Sequence, residues 1–481
     1  MRIGGLASGM DTDTVVKQLM EARRVPLDKL NQQKQLTEWR REDYRNVSVS
    51  FISLNEKLSN FSLSQSIDSK KAAVSGAQVL EATPTAAASN SVMNMVVNSL
   101  ATATNVQTTN GIGAKDLSTK ISSLYSGSQN SIAIGSTTIA IDSEETIGSL
   151  INKINSSKAG VTAIYDEALG KMSLNNNETG AKDITLSGEI LTQTFDLNTK
   201  KVGDNASVTI NGLVTTQPSN QFTINGVQIS LTGVTPTGQS TQIQVTQDVD
   251  KVVDTVKSFV EAYNAQLDML NKKTGEERYR KFLPLSAEQK KEMSEDEVKL
   301  WEEKAKSGLL RRDTILEKAA TDMRAALISD VTLADGSKIN ITEIGITTGK
   351  YGERGKLIIN EERLREAIQS NPEGVYALLG QTDSSTKDVS NQDGIFNRLK
   401  KINNAGLTAL ADKAGTSKFS KDITTAFTPE SQMGEELRRL NSRIADVTSM
   451  LTQVENRYYK QFAAMEAAIN KYNSISSSLF V

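Results

Sequence analysis

Apolar residues recur at helical spacing in several stretches of the chain, and the longest stretch lies at the C-terminal end. From Glu435 to Ser478 they fall at Leu437, Leu440, Ile444, Val447, Leu451, Val454, Tyr458, Phe462, Met465, Ile469 and Tyr472. Intervals of three and four alternate almost throughout, which sets these side chains on one narrow stripe and predicts a coiled-coil seam. The one departure runs through Val454, Tyr458, Phe462 and Met465. It moves the repeat toward about 3.67 residues per turn and relaxes left-handed supercoiling. At about 1.5 Å per residue the helix is roughly 65 Å long, too long for the core of one compact domain, so it needs a partner helix.

The N-terminal end carries a second helical pattern. Asp11 or Asp13 can cap a helix through Arg24 with Val15, Val16, Leu19 and Met20 on one face, because a side-chain oxygen there satisfies an orphan amide of the first turn. Pro26 is expected to end that helix with a kink at Val25 and to open another, with Leu27 and Leu30 facing inward. From Asn31 to Asp43 the stripe is diluted by Gln32, Gln33, Lys34 and Gln35, and Trp39 lies off the seam. Tyr44, Val47, Phe51, Leu54, Leu58 and Phe61 then restore a strict repeat.

Between Lys71 and Asp248 serine, threonine, asparagine and glycine dominate, and the period changes to two, so the chain turns to strands. Ile132, Ile134, Ile139 and Ile141 alternate around Gly135 as a hairpin; Thr146 to Ser156 reads as a short helix, followed by strands Val161 to Tyr165 and Lys171 to Asn175. Thr209-Ile210-Asn211-Gly212 recurs as Thr223-Ile224-Asn225-Gly226. Asn-Gly between alternating residues predicts type I′ turns, whose two central positions both need φ > 0.

Helical spacing returns from Asp248 to Asn271, where Val249, Val253, Val256, Val260, Tyr263, Leu267 and Leu270 form a third seam. Ser286 with Gln289 and Ser294 with Glu297 are capping boxes, each opening a short helix. Further helices are predicted over Asp313 to Ser329, after Asn360, from Pro372 and over Ile395 to Leu410, with a hairpin at Asp335-Gly336 and a strand at Leu357 to Ile359.

Helical seams thus enclose a β region. The simplest burial pairs the two terminal helices, within one copy or between copies, and leaves the β modules as an insertion. The predicted fold is a multidomain α+β protein: coiled-coil N- and C-terminal helices and a helical-bundle domain forming a leg, with two inserted β-rich domains. The expected domains are residues 1–42 with 434–481 (the coiled-coil leg), 43–71 with 249–433 (the helical bundle with small β hairpins), 72–107 with 199–248 (β-rich) and 108–198 (β-rich). The assembly seam is expected at Tyr44, Val47, Phe51, Leu54 and Leu58, packed near Leu437, Leu440, Ile444, Val447, Leu451 and Val454. The diluted stretch Asn31 to Asp43 predicts terminal helices that pair when docked and are loose when free, because such a helix is marginal without tertiary packing.

Composition narrows the function classes. A length of 481 residues predicts three or four domains, and a 5% aromatic content predicts thin cores. Net charge is −2, from 55 basic and 57 acidic residues, which gives no electrostatic ground for binding nucleic acid or an anionic membrane. Histidine and cysteine are both absent. That removes imidazole bases, Ser-His-Asp triads, thiolate nucleophiles, disulfides and the nitrogen and sulfur ligands of metal sites. Gly355-Lys356 fails the phosphate-loop spacing because Lys350 stands where glycine is required. Asp248, Asp250 and Asp254 fit a helix N-terminus, and the Lys-Glu run from Glu288 to Lys306 fits a solvated helix face. No carboxylate pair is singled out for glycoside hydrolysis. No catalytic, cofactor or metal residue is expected. The opening MRIGGLASGMD lacks a basic-then-apolar leader and no run of about 18 apolar residues occurs, which predicts a soluble chain that leaves the cell, if at all, without a cleaved leader.

Gly5 to Asp13 (GLASGMDTD), followed by Leu19-Met20 and Pro26-Leu27, resembles the N-terminal signature of the bacterial flagellar filament-capping proteins, the hook-associated protein 2 or FliD family. The resemblance continues through Phe259 to Asn264 (FVEAYN), Glu302 to Asp313 (EEKAKSGLLRRD), Glu343 to Gly349 (EIGITTG) and Tyr458 to Asn473 (YYKQFAAMEAAINKYN). Thr146 to Asn175, with Ile154-Asn155 and Gly160-Val161-Thr162-Ala163, is similar to the hook IN motif, which places that motif in the 108–198 domain. The region around Met93 to Tyr125 has no match. The resemblance implies a non-enzymatic cap at the tip of the growing filament, a ring homo-oligomer and by the usual view a pentamer, that helps exported flagellin subunits fold and insert. It implies flagellin, hook-filament junction proteins and an export chaperone holding the C-terminal helix as partners, with export through the flagellar type III apparatus. In some relatives the β domains also bind host surfaces, so surface glycans join the expected partners; cofactors, nucleic acid and membrane insertion do not. The flagellin-contacting leg is then expected at Leu19, Met20, Leu27, Tyr458, Phe462, Met465, Ile469 and Tyr472, the helix dividing at Tyr458 into a stable part and a mobile part. The rival readings are a hook-filament junction protein, a secreted adhesin and a carbohydrate-active hydrolase.

Overall fold

The computed structural model describes residues 11–85 and 87–479. Most of the GLASGMDTD signature and the Phe480-Val481 end lie outside the described residues. The chain divides at Ile67/Asp68 and Asp248/Val249 into two units, one continuous and one made from the residues on either side of it.

The continuous unit holds two β modules with separate cores. In the first, a five-stranded antiparallel sheet runs in the order Lys70–Gly76, Thr241–Gln247, Ser91–Ser99, Ala206–Ile210, Leu213–Gln217, beside a three-stranded sheet of Gln221–Ile224, Val227–Leu231 and Leu80–Pro84. Met93, Met95 and Val97 alternate inward from one strand and meet Val208, Ile229 and Ile243 in the core, the period-two pattern expected of a sheet with one covered face. Both Asn-Gly hairpins form: φ is +48° and +87° at Asn211 and Gly212, and +48° and +75° at Asn225 and Gly226, the left-handed pair a type I′ turn requires.

In the second module the helix Ile147–Ser156 buries Ile147, Leu150 and Ile154 against the sheet strand Val161–Asp166. Thr146 caps it in a reciprocal box with Ser149. The sheet order Thr199–Lys201, Ala103–Gln107, Lys171–Thr179, Val161–Asp166 corrects the expected boundary. Gln107 pairs with Thr199 and Ser173, so the ends of the 72–107 and 199–248 segments belong to the second module.

In the other unit the N-terminal helix Thr12–Phe61 runs unbroken for 50 residues, capped by Asp11, which accepts from the Thr14 amide at 3.1 Å. The expected break at Pro26 does not occur. Pro26 and Ala22 are both exposed, so the Ala22 carbonyl that proline leaves without an amide can be hydrated. Packing of Met20 before it and Leu30 after it carries the helix through. From Tyr44 onward the helix enters a bundle core with helices Val249–Gly275, Thr314–Ile328 and Ile395–Ala414, where the Phe259 and Phe396 rings meet at 4.9 Å. Arg398 is 1% exposed. It donates to the carbonyls of Ala326, Ser329, Asp330 and Asn391 at 2.7 to 3.1 Å, closing the C-terminal end of Thr314–Ile328 where the helix dipole favours a cation.

Candidate functional site

The first half of the N-terminal helix pairs antiparallel with the C-terminal helix Gln432–Leu479. Val16, Met20 and Leu451 are the buried centre of this two-helix leg, with Leu27, Val447, Val454, Tyr458, Tyr459 and Phe462 partly buried around them. Leu19, on the predicted face, points to solvent. Leu437 and Ile444 are half-buried and Leu440 is buried. Tyr44, Val47, Phe51, Leu54 and Leu58 are buried in the bundle instead, which corrects the expected pairing with Leu437 to Val454. The Thr37 hydroxyl reaches Glu436 at 3.4 Å and Met20 clusters with Leu451, so the antiparallel register uses up the C-terminal helix before Tyr44. The face of Phe51 is taken by the Ile395–Ala414 helix, where Gly406 leaves room: a Cβ there would come within 2.6 Å of the Phe51 ring.

Bundle and leg meet at a joint of two arginines. Arg41 donates to the Ala414 carbonyl at 2.5 Å, to the Thr428 carbonyl at 2.9 Å and to Ser431 Oγ at 3.2 Å. Arg45 holds the Ile423 and Thr425 carbonyls. The two guanidinium carbons lie 4.2 and 3.7 Å from the Phe427 ring centroid, a stack that fixes the connection into the C-terminal helix.

The diluted stretch of the N-terminal helix is a docking face. Gln32 donates to the Pro284 carbonyl at 3.0 Å, Asp43 pairs with Lys273 at 2.6 Å, and Lys306 lies 4.9 Å from the Trp39 ring centroid. The segment that docks there carries both predicted capping boxes. A cleft of about 500 Å³ separates the two, lined by Asp28, Asn31, Gln35, Glu38 and Glu288 among others. Burial and then the Glu288 carboxylate push the Asp28 carboxyl above its ordinary range.

Beyond Phe462 the cover thins. Met465 and Ile469 are half-buried and Tyr472 is 73% exposed. The predicted stripe thus continues past the leg's core and ends in solvent at Tyr472. Phe419 is 87% exposed on the loop before the C-terminal helix, and no periodicity marks it in the sequence. Gly355 (φ +92°) sits in the turn before the strand Leu357–Ile359, and Asp250 pairs with Arg365 at 2.6 Å. Among the described residues no cluster of three or more acidic, His or Cys side chains could hold a metal ion, and no helix is long and apolar enough to cross a membrane.

A family model for the flagellar hook-associated protein 2 C-terminus matches residues 203–474, one for the N-terminus of the same proteins matches 8–104, and one for the flagellin hook IN motif matches 96–178. The chain is 30% identical to the flagellar hook-associated protein 2 of Halalkalibacterium halodurans, over 100% of this chain and 99% of the relative. It is 23% identical to that of Escherichia coli K12, over 99% and 96%. The crystal structure of the E. coli flagellar cap protein FliD D1-D2-D3 domains superposes with a TM-score of 0.58 at 19% identity, covering 83% of this chain and 99% of that one; at that identity the likeness concerns the fold.

Proposed function

The chain belongs to the flagellar hook-associated protein 2 (FliD) family, and from that premise we propose that it is the filament cap, working at the distal end of the flagellum through its paired terminal helices. The observation that carries the reading is the end-to-end similarity to hook-associated protein 2, joined to a leg whose apolar stripe runs on past its own core. In this reading the cap is a ring of identical copies, a pentamer, standing on the junction proteins at the hook and on flagellin thereafter. Tyr458, Phe462, Met465, Ile469 and Tyr472, with Leu19 and Leu27, contact flagellin and guide its folding and insertion, whereas Met20, expected on the same face, is buried at the centre of the leg and holds its two helices together. The work is done by binding and release, with no covalent step. Before export through the type III apparatus a chaperone covers the C-terminal helix, and on the finished filament the β modules are free to meet host glycans.

A deletion strain should shed flagellin monomers and carry bare hooks, and purified protein added outside should restore growth. A junction protein or an adhesin would not give that rescue. Met465→Pro removes an amide and breaks the helix at the thinning stripe. It should abolish rescue while the β modules stay folded by circular dichroism; full rescue by this variant would reject the leg assignment.

A further inference from the structure

Phe419 is the most exposed large apolar side chain among the described residues, and the loop beneath it is built. Ser417 Oγ accepts from the Phe419 and Ser420 amides at 3.2 and 2.9 Å, Ser420 Oγ from the Asp422 amide at 3.2 Å, and Asp422 from the Thr424 amide at 2.8 Å. Arg45 ties down the next carbonyls. Lys421 is drawn back to Glu56 at 2.6 Å, and Lys418, next to Phe419 in the chain, is exposed. An aromatic side chain held out on an ordered backbone loses little entropy on binding, which is the character of an interface anchor.

The same unit has a groove of about 350 Å³ between the turn around Ile344 and the helices Glu361–Ser370 and Pro372–Gly380. Ile344, Ala367 and Val375 line its floor, and Glu343, Glu366 and Arg363 its rim. We propose that Phe419 of one copy of the chain seats in this groove of a second copy, its ring against Arg363 and the apolar floor, with Lys418 between Glu343 and Glu366. A guanidinium is attracted to an aromatic face, and the two rim carboxylates favour an arriving lysine. Knob and groove are different surfaces, so the contact is heterologous. It adds copies head to tail and closes into a ring when the rotation allows. The inference rests on the reading that copies of the chain assemble into the cap.

Sedimentation of the full chain over a concentration series tests it. Phe419→Asp should raise the concentration needed for assembly about 30-fold or more, the scale of a lost hot spot. Lys418→Glu and Glu366→Lys should each weaken assembly about tenfold, and the double variant should return to within a few-fold of wild type. All three positions are exposed, and an unchanged thermal unfolding curve confirms that each variant is folded. Assembly of Phe419→Asp at the wild-type concentration, or a double variant as weak as the two single effects combined, overturns this contact and leaves the ring intact as an idea. A wild-type chain that stays monomeric throughout overturns the ring reading, and this contact with it.

Discussion

Replacing Leu451 with alanine probes the leg where its core is thinnest. Leu451 is 5% exposed and shares the buried centre with Val16 and Met20, while six partly buried side chains surround them. Truncating a buried leucine costs about 2–5 kcal/mol, depending on how far the site can collapse. Here most neighbours are half open to solvent and can relax, which puts the cost in the lower part of that range, about 2–3 kcal/mol. At about 1.4 kcal/mol per tenfold, the opened population of the leg rises roughly 30- to 150-fold. Hydrogen exchange read by mass spectrometry should show that loss of protection over Val16 to Leu30 and Ile444 to Phe462. The helix Val249–Gly275 should be unchanged, because its core shares no residue with the leg. Unchanged exchange in the leg would refute the claim that this cluster holds it together. An equal loss in the bundle would refute its independence. In the wild type, Asn31 to Asp43 should be protected, since Gln32, Trp39 and Asp43 have partners across the docking face; rapid exchange there would restore the loose-leg expectation.

Three further outcomes follow from the same geometry. Arg398→Met leaves the carbonyls of Ala326, Ser329 and Asp330 without the arginine donor and takes one of two donors from Asn391, which keeps the Thr332 amide, and should cost about 3 kcal/mol or more, read as a lower urea midpoint for the bundle. Arg41→Ala removes its own three charge-assisted bonds and its half of the ring stack, leaving Arg45 on Phe427. A loss of about 2 kcal/mol should make limited proteolysis cut the Thr416 to Ser431 loop tens of times faster while the bundle survives. Burial, then the hydrogen bond to Asp313, hold the Tyr44 phenol well above its ordinary value. A phenol whose folded value is raised contributes stability that is complete below about pH 10 and is lost above it, where the unfolded chain ionises first. Denaturant midpoints should therefore fall in that alkaline range, and less steeply in Tyr44→Phe.

What could be read from the sequence was what repeats locally. The Asn-Gly turns, the caps at Asp11, Ser286, Ser294 and Asn360, the helices starting near Thr146 and Asp313, and the stripes through Tyr44 to Leu58 and Val249 to Leu270 all depend on residues a few positions apart. That the two terminal helices pair was legible from the seams enclosing the β region, but the register of that pairing and the partner of the Tyr44 to Leu58 seam were not. Two seams with the same repeat can be matched in several registers, and nothing in the periodicity of Tyr44 to Leu58 says that its partner is Ile395–Ala414 rather than the C-terminal helix. The stretch Asn31 to Asp43 reads as weak for a related reason: its cover is polar and comes from residues far along the chain, such as Pro284 and Lys306. Pro26 is misleading because proline breaks a helix only where its lost hydrogen bond is not otherwise compensated. Phe419 carries no pattern at all. It shows only in three dimensions, as a side chain that nothing covers.

The stutter at Tyr458 takes on a different meaning once the helix is seen to continue through it to Leu479. A change of repeat does not break an α-helix; it turns the apolar stripe relative to the partner. In the C-terminal helix the cover decreases in the same direction as the chain. Met433 lies in the bundle core, Leu440 and Leu451 are buried, Tyr458 and Phe462 are half-buried, and Tyr472 stands in solvent. If the stripe existed only to hold the leg together, nothing would keep apolar residues in register past the point where burial rewards them. Met465, Ile469 and Tyr472 keep the three-four spacing beyond it. Exposed apolar surface in register at the end of a long helix is best explained by a partner that arrives later, and under the proposed flagellin contact that surface would bind more weakly than the leg's own core, because less of it is apolar and buried.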